Sequence, residues 1–162
     1  MSERYTRLFA NSRSLSLLKT RTPQIDGSEH WTAYSLLIPV IQTQEGASFL
    51  YEIRSDDLKL QPGEICFPGG QIEPGESPEE AACRECCEEL CVESDQIQIL
   101  GEGNPLVMPF NMIIYPYLAE LTDYQWTFSR SEVGDVFAVP LFWLAKHQPE
   151  VYLTTKIGRA HV

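Results

Sequence analysis

Positive charge is in short supply in this 162-residue sequence: 12 Lys and Arg stand against 23 Asp and Glu, a net charge of −11. Sequence-independent grip on a phosphate backbone needs clustered Lys and Arg, so nucleic-acid binding is excluded as the main role. An acidic protein can still handle anions when divalent cations supply the local positive charge. Long apolar runs are missing as well. The longest, Tyr34 to Ile41 and Met112 to Ala119, fall far short of the ~20 residues that cross a bilayer, which argues against a membrane protein. Met1 to Ala10 carries Glu3, Arg4 and Arg7 among few apolar residues and so is not a secretory leader. Histidine is rare, and His30 and His147 each stand without a second His or a nearby nucleophile, which removes a Ser or Cys triad. No internal repeat, linker or low-complexity tract interrupts the chain.

What is present is ordinary for a globular domain: 43% apolar and 22% charged residues. The length suits one domain with a real core. The five cysteines are an odd number, and Cys83, Cys86, Cys87 and Cys91 fall within nine residues. Neighbours that close on a helix cannot all pair, so reduced thiols and a cytoplasmic location are expected. Lys156 to Val162 reads KIGRAHV, which looks like a translated sequencing-adapter read-through. On that expectation the native domain occupies residues 1–155 and continues beyond Thr155, where further residues could complete the sheet packing, a substrate lid or a homodimer interface. Arg159 and His161 are set aside on the same ground.

Residues 4–20 can form a short helix, and Thr22 to Ser28 reads as a loop around Pro23 and Gly27. Trp31 to Gln42 predicts a buried strand, with Ser48 to Ile53 its partner across the turn Gln44-Glu45-Gly46. Ile65 to Phe67 predicts a short strand entering a sharp turn at Pro68-Gly69-Gly70. Ser77-Pro78-Glu79-Glu80 is a helix start, with Ser at the N-cap, Pro at the first position and Glu three after the cap. That helix should run to about Leu90. Further strands are expected at Ile97–Gly101, Met112–Leu121 and Val136–Val139, then a short helix from Leu141 to Lys146. Strands on both sides of one well-capped helix predict a mixed α/β domain.

The chemistry concentrates on that helix. At about 100° per residue, Glu85, Glu88 and Glu89 fall within roughly a 100° arc of one face. Cys83, Cys86, Cys87 and Leu90 project from the other side, where a core would lie. Three like charges on one arc repel, and a divalent cation with hard oxygen ligands removes the cost. Carboxylates suit Mg²⁺ or Mn²⁺. A solvated acidic face is the bland alternative. Against it stand the Phe67-Pro68-Gly69-Gly70 loop, which brings backbone to the same region, and Arg84, placed to pair with Glu76.

Gly70, five residues, Glu76, seven residues, then Arg84-Glu85-Cys86-Cys87-Glu88-Glu89-Leu90-Cys91-Val92 resembles the Nudix box. Gly70, Glu76, Arg84, Glu85, Glu88 and Glu89 all match, a coincidence with odds on the order of 10⁻⁵ from average residue usage. Cys86 fills the apolar position, a mild change since free Cys behaves as a small hydrophobe. Cys91 replaces the final glycine, so the helix exit is expected to do without the usual left-handed residue. The resemblance implies a Nudix-like α/β/α sandwich with a mixed β-sheet and a catalytic loop–helix. It further implies Glu85, Glu88 and Glu89 as Mg²⁺ or Mn²⁺ ligands, the Gly70 carbonyl as a further one, and Glu76 with Arg84 as an orienting pair. The implied activity is hydrolysis of a nucleoside diphosphate linkage, with a carboxylate taking a proton from the attacking water.

Upstream, Arg54-Ser55, three residues, Lys59, three residues, Gly63, three residues, Phe67-Pro68-Gly69-Gly70 resembles the added signature of the coenzyme A diphosphatase branch. Lys59 stands where that branch has Arg, keeping charge but not bidentate grip. The resemblance implies Arg54, Ser55 and Lys59 as substrate contacts; two solvated surface cations are the other reading. Glu132, before a stretch similar to the family's following loop and strand, is a candidate ligand or base, or a plain surface glutamate. ADP-ribose and NADH remain alternative substrates, and a non-catalytic ligand-binding module is a second alternative. A zinc or iron–sulfur site on the cysteines is set below core packing, because zinc ligands usually come from two separated pairs whereas Cys83, Cys87 and Cys91 are expected to share the helix's buried side at i, i+4 and i+8. Trp31, Trp126 and Trp143 read as core or lid aromatics before a stacking platform, although one could cover an adenine.

Overall fold

The computed structural model describes residues 31–147. The N-terminal helix over 4–20, the loop over 22–28, His30 and the stretch 156–162 lie outside these residues.

The frame is one mixed sheet. Strand β1 (Thr32–Thr43) turns through Gln44 and Glu45 into β2 (Gly46–Arg54), followed by two short strands, β3 (Ile65–Cys66) and β4 (Gly69–Gln71). The long helix α1 (Pro78–Leu90) leads through a 3₁₀ turn at Ser94–Gln96 into β5 (Ile97–Glu102), β6 (Leu106–Met108), β7 (Met112–Leu121) and β8 (Val133–Pro140), then α2 (Leu141–Lys146). The strand path is β3-β2-β1-β7-β5, with β8 beside β2, β6 beside β7 and β4 beside β1. Only β1 and β7 run parallel among the described pairs; their registers align Leu36 with Pro116 and Ile38 with Leu118.

Two central prolines mark where partners change. β1 pairs with β4 over Tyr34–Leu36 and with β2 over Val40–Thr43. Pro39 falls in the gap between them, where its missing N–H leaves no ladder bond unmade. Pro116 of β7 likewise sits between the β6 pairing that ends at Ile114 and the β5 pairing that begins at Tyr117. The gap in β1 has a use: Leu37 N–H donates to the Pro68 carbonyl at 2.9 Å. That bond draws the Phe67–Gly70 backbone against the central strand.

Helix α1 starts as its sequence predicts. Ser77 Oγ accepts from Glu80 N–H, Glu80 Oε2 accepts from Ser77 N–H, and Pro78 opens the first turn. Its apolar side meets the sheet: Ala82, Cys86 and Leu90 join Leu37, Ile41, Leu50, Tyr117, Ala119 and Leu121 in one buried cluster, with Cys83 and Cys87 packed at its margin. The orphan carbonyls at its far end find partners in the segment before β8. Ser129 N–H donates to Glu89 O at 2.8 Å and Thr127 Oγ1 to Leu90 O at 3.1 Å.

Two expectations change here. Cys91 does not share the helix's buried side; it is exposed, and it takes up the left-handed conformation itself (φ 53°, ψ 48°). The helix therefore keeps its usual exit geometry without the glycine, at a steric cost of about 1–2 kcal/mol. Cys91→Gly should raise stability by roughly 0.5–1 kcal/mol after glycine's extra unfolded-state entropy is deducted. Thermal unfolding checks this, and an unchanged or lower midpoint contradicts it. The expected turn at Gly69-Gly70 is also more ordered than its residues suggest, because it forms β4 against β1.

Candidate metal and diphosphate site

Four stretches meet at one end of the sheet: the β3–β4 loop, the start and exposed side of α1, the end of β2, and the Ser129–Glu132 segment. Arg84 ties the helix to β4 and to the β4–α1 connection. Its Nε and Nη2 donate to Glu76 Oε1 and Oε2 at 2.9 and 3.1 Å, a two-pronged pair across the loop–helix junction. Nη2 also reaches the Gln71 carbonyl at 3.2 Å, and Nη1 reaches Glu85 Oε1 at 2.8 Å and Glu88 Oε2 at 3.3 Å. The Arg84 guanidinium holds the half-buried Glu76 carboxyl below the usual carboxylate range.

The two glycines of β4 admit the carboxylates. A side chain at Gly70 would run into the Glu85 carboxylate. At Gly69 it would meet the Ser35 carbonyl at 2.5 Å and the Leu36 backbone at 2.8 Å. Gly69 N–H donates to Glu89 Oε2 at 2.8 Å, fixing the third glutamate of the box against the loop.

The three box glutamates are not equally solvated, which corrects the picture of one exposed acidic arc. The Glu88 side chain is 56% exposed, Glu85 14%, and Glu89 as a whole residue only 4%. Glu89 lies between the arc and the core because the β3–β4 loop folds over it. Burial raises the Glu89 carboxyl to about 8, helped by the neighbouring Glu52 charge and opposed by the Gly69 N–H. Burial also raises Glu85, against the pull of Arg84.

Glu52 is the residue that motif reading missed. It is 1% exposed on β2, its Oε1 accepts from the Cys66 thiol at 3.3 Å, and its Oε2 has no partner. Burial raises its carboxyl to about 7; Glu132 and Glu85 push further upward. The signal was present in the strand's period of two, since Glu52 shares its phase with buried Ser48 and Leu50. Glu132 is exposed yet within the field of Glu52, Glu85 and Glu89. Its carbonyl accepts from Ser55 N–H at 2.8 Å, tying the Ser129–Glu132 turn to the end of β2.

Of the upstream residues, Arg54 ends β2, and Ser55 and Lys59 lie in the loop between β2 and β3. Arg54 Nε donates to the Leu60 carbonyl at 3.3 Å, and its charge lowers the Glu52 carboxyl. Ser55 is 6% exposed and its hydroxyl accepts from Asp57 N–H at 3.4 Å, so it shapes the turn. Lys59 is exposed on the same loop.

Among the described residues no three His, Cys, Asp or Glu side chains already converge on one point; Arg84 is the cation that Glu85 and Glu88 hold in this arrangement. The cysteines supply no zinc site there, and all five are free. The donor set still fits a hard divalent ion. Clustered carboxylates raise one another, and one buried carboxylate oxygen lacks any partner. The two carboxyls raised most, Glu52 and Glu89, also give a pH signature. A group whose folded pKa lies above its unfolded value contributes stability that is full below the ordinary carboxylate range and lost as pH rises through about 7 for Glu52 and about 8 for Glu89. The metal-free protein should therefore lose thermal stability between about pH 5 and 8, at up to about 1.4 kcal/mol per pH unit per group. Scans in chelator should show it, and Mg²⁺ should flatten the slope. A midpoint rising over that window runs against the buried-charge account.

A mixed sheet with a loop–helix carrying this acidic cluster defines a Nudix-type fold, and the comparisons agree. The NUDIX domain pattern matches residues 31–156. The chain belongs to the Nudix family, whose hydrolases generally use divalent metal ions. It is similar to the peroxisomal coenzyme A diphosphatase NUDT7 of Mus musculus, at 32% identity over 129 residues, 78% of this chain and 54% of that protein. Nudix hydrolase 3 of Caenorhabditis elegans is 32% identical over 129 residues, 75% of this chain and 53% of that protein. The chain thus spans about half the length of these curated relatives. The crystal structure of C. elegans Ap4A hydrolase superposes with a TM-score of 0.55 at 21% identity, over 72% of this chain and 85% of that one, a likeness of fold. No helix among the described residues is long and apolar enough to cross a membrane.

Proposed function

We propose that this chain is a Mg²⁺- or Mn²⁺-dependent diphosphatase that cleaves coenzyme A to 4′-phosphopantetheine and adenosine 3′,5′-bisphosphate. The observation that carries the proposal is the locked loop–helix, in which Gly70 makes room for Glu85 and Gly69 N–H holds Glu89. The similarity to a protein named a coenzyme A diphosphatase and the matched spacing from Arg54 to Gly70 support the choice of substrate.

Glu85, Glu88, Glu89 and the Gly70 carbonyl would hold the ion. When bound, it neutralises diphosphate charge and lowers the pKa of a water. Arg84, anchored on Glu76, orients Glu85 and keeps the loop seated against the helix. Glu132, exposed beside the cluster, serves as a further ligand or accepts the proton of the attacking water. Arg54 and Lys59 meet the substrate's phosphates, and Ser55 fixes the loop that presents them. Water adds across the P–O–P bridge, and the two phosphate-bearing halves leave. Five free thiols support a reducing compartment, and we place the protein in the cytoplasm.

A panel of coenzyme A, ADP-ribose, NADH and diadenosine polyphosphates with Mg²⁺ tests the assignment. Coenzyme A should be the best substrate by kcat/KM, with the two named products in equal amounts. Cleavage of ADP-ribose or NADH but not coenzyme A would move the protein to another branch. A folded protein that binds these ligands and turns none over would make it a binding module.

A further inference from the structure

Glu52 is an unusual residue for the place it occupies. It sits on the inward phase of β2, beside Leu50 of the core, and is 1% exposed. Its Oε1 is held by the Cys66 thiol at 3.3 Å, and Cys66 stands opposite it in the β2–β3 register. That contact leaves Oε2 buried with no partner. A buried carboxylate oxygen without a donor destabilises the fold unless something positive completes it. Arg54 is near enough for its charge to act on Glu52, yet its Nε is spent on the Leu60 carbonyl. The other charges acting on Glu52 are Glu132 and Glu85, and Glu52 in turn acts on Glu89. Repulsion of that kind offers no reason to place a glutamate here; a shared cation does.

We propose that Glu52 is a further ligand of the divalent-cation site, its orphaned Oε2 completing the oxygen set of Glu85 and Glu89 from the strand side. The inference rests on the metal-binding role proposed for the box glutamates and adds a ligand outside the box. The Cys66 thiol is then a positioning group: its S–H fixes Oε1 and leaves Oε2 for the ion. The strand contribution also makes the ion a link between α1 and β2, so its binding should stiffen the strand and the helix together.

Mn²⁺ binding to the purified full chain, followed by loss of the free-ion electron paramagnetic resonance signal, tests this without any reliance on turnover. The set comprises wild type, Glu52→Gln, Glu52→Asp, Glu89→Gln and the exposed control Glu45→Gln. Glu52→Gln should weaken Mn²⁺ binding at least tenfold and raise the thermal midpoint of the metal-free protein, because the buried charge is gone. Glu52→Asp, charged but one methylene short, should fall between Glu52→Gln and wild type, and it serves if the amide variant folds poorly. Glu45→Gln should match wild type. Mn²⁺ affinity of Glu52→Gln or Glu52→Asp within twofold of wild type, with Glu89→Gln weakened, sinks the Glu52 assignment and leaves the box ligands standing. Absence of Mn²⁺ binding by wild type removes both.

Discussion

Glu89→Gln should lower kcat by at least about 10³ while leaving a folded protein whose metal-free form is more heat-stable than wild type. The two effects have one cause. Glu89 is nearly buried, and its carboxyl is raised to about 8 by burial and by Glu52. An amide keeps an oxygen to accept from Gly69 N–H and removes the charge that burial penalises. The same change removes a ligand charge from the proposed cation site. Glu88→Gln should match the loss of rate without the gain in stability, because the Glu88 side chain is 56% exposed and has little burial to relieve. Steady-state kinetics and thermal unfolding on the two variants give four numbers. Equal stability changes in both, or near-normal turnover in either, would contradict the division of roles.

Gly70→Ala and Gly69→Ala should fail in different ways. At Gly70 the added methyl group collides with the Glu85 carboxylate, the far end of a side chain that can swing aside. Stability should change by less than about 1 kcal/mol, while the displaced Glu85 loses its place beside Arg84 and the rate falls at least about 10²-fold. At Gly69 the methyl group meets the Ser35 carbonyl and the Leu36 backbone of β1, which cannot yield without breaking the strand pairing. That variant should be destabilised by about 1–3 kcal/mol. Denaturant unfolding beside initial rates separates the cases; a Gly70→Ala protein with normal turnover removes the steric account of the loop.

The contrast between these glycines shows what could and could not be read from the residues. The α/β class, the partner strands about the Gln44–Gly46 turn, the capped start at Ser77 and the contact of Arg84 with Glu76 were legible, because each rests on local chemistry or fixed helical spacing. The mixed sheet with helices is the expected Nudix-like fold. The burial of Glu89 was not legible, since it depends on a loop that β1 draws down through Leu37 and Pro68. The left-handed Cys91 defied its residue type because the Ser129 and Thr127 contacts hold the helix end in place. Glu52 escaped notice for a simpler reason: no spacing rule joins a strand residue to a helix thirty-odd positions later. A charged residue in the inward phase of a strand was the available sign. β6 was missed because its Leu106–Met108 run is short and exposed, with no alternation to mark it.

We propose a hydrolysis of the coenzyme A diphosphate that depends on a divalent ion held by these carboxylates. Its most direct test follows coenzyme A and its products by chromatography, using purified chain in Mg²⁺ and in chelator. Equal release of 4′-phosphopantetheine and adenosine 3′,5′-bisphosphate with Mg²⁺, abolished by chelator and restored by Mn²⁺, is the predicted result. Cleavage that persists in chelator, or that survives in the Glu88→Gln and Glu89→Gln variants, would contradict it.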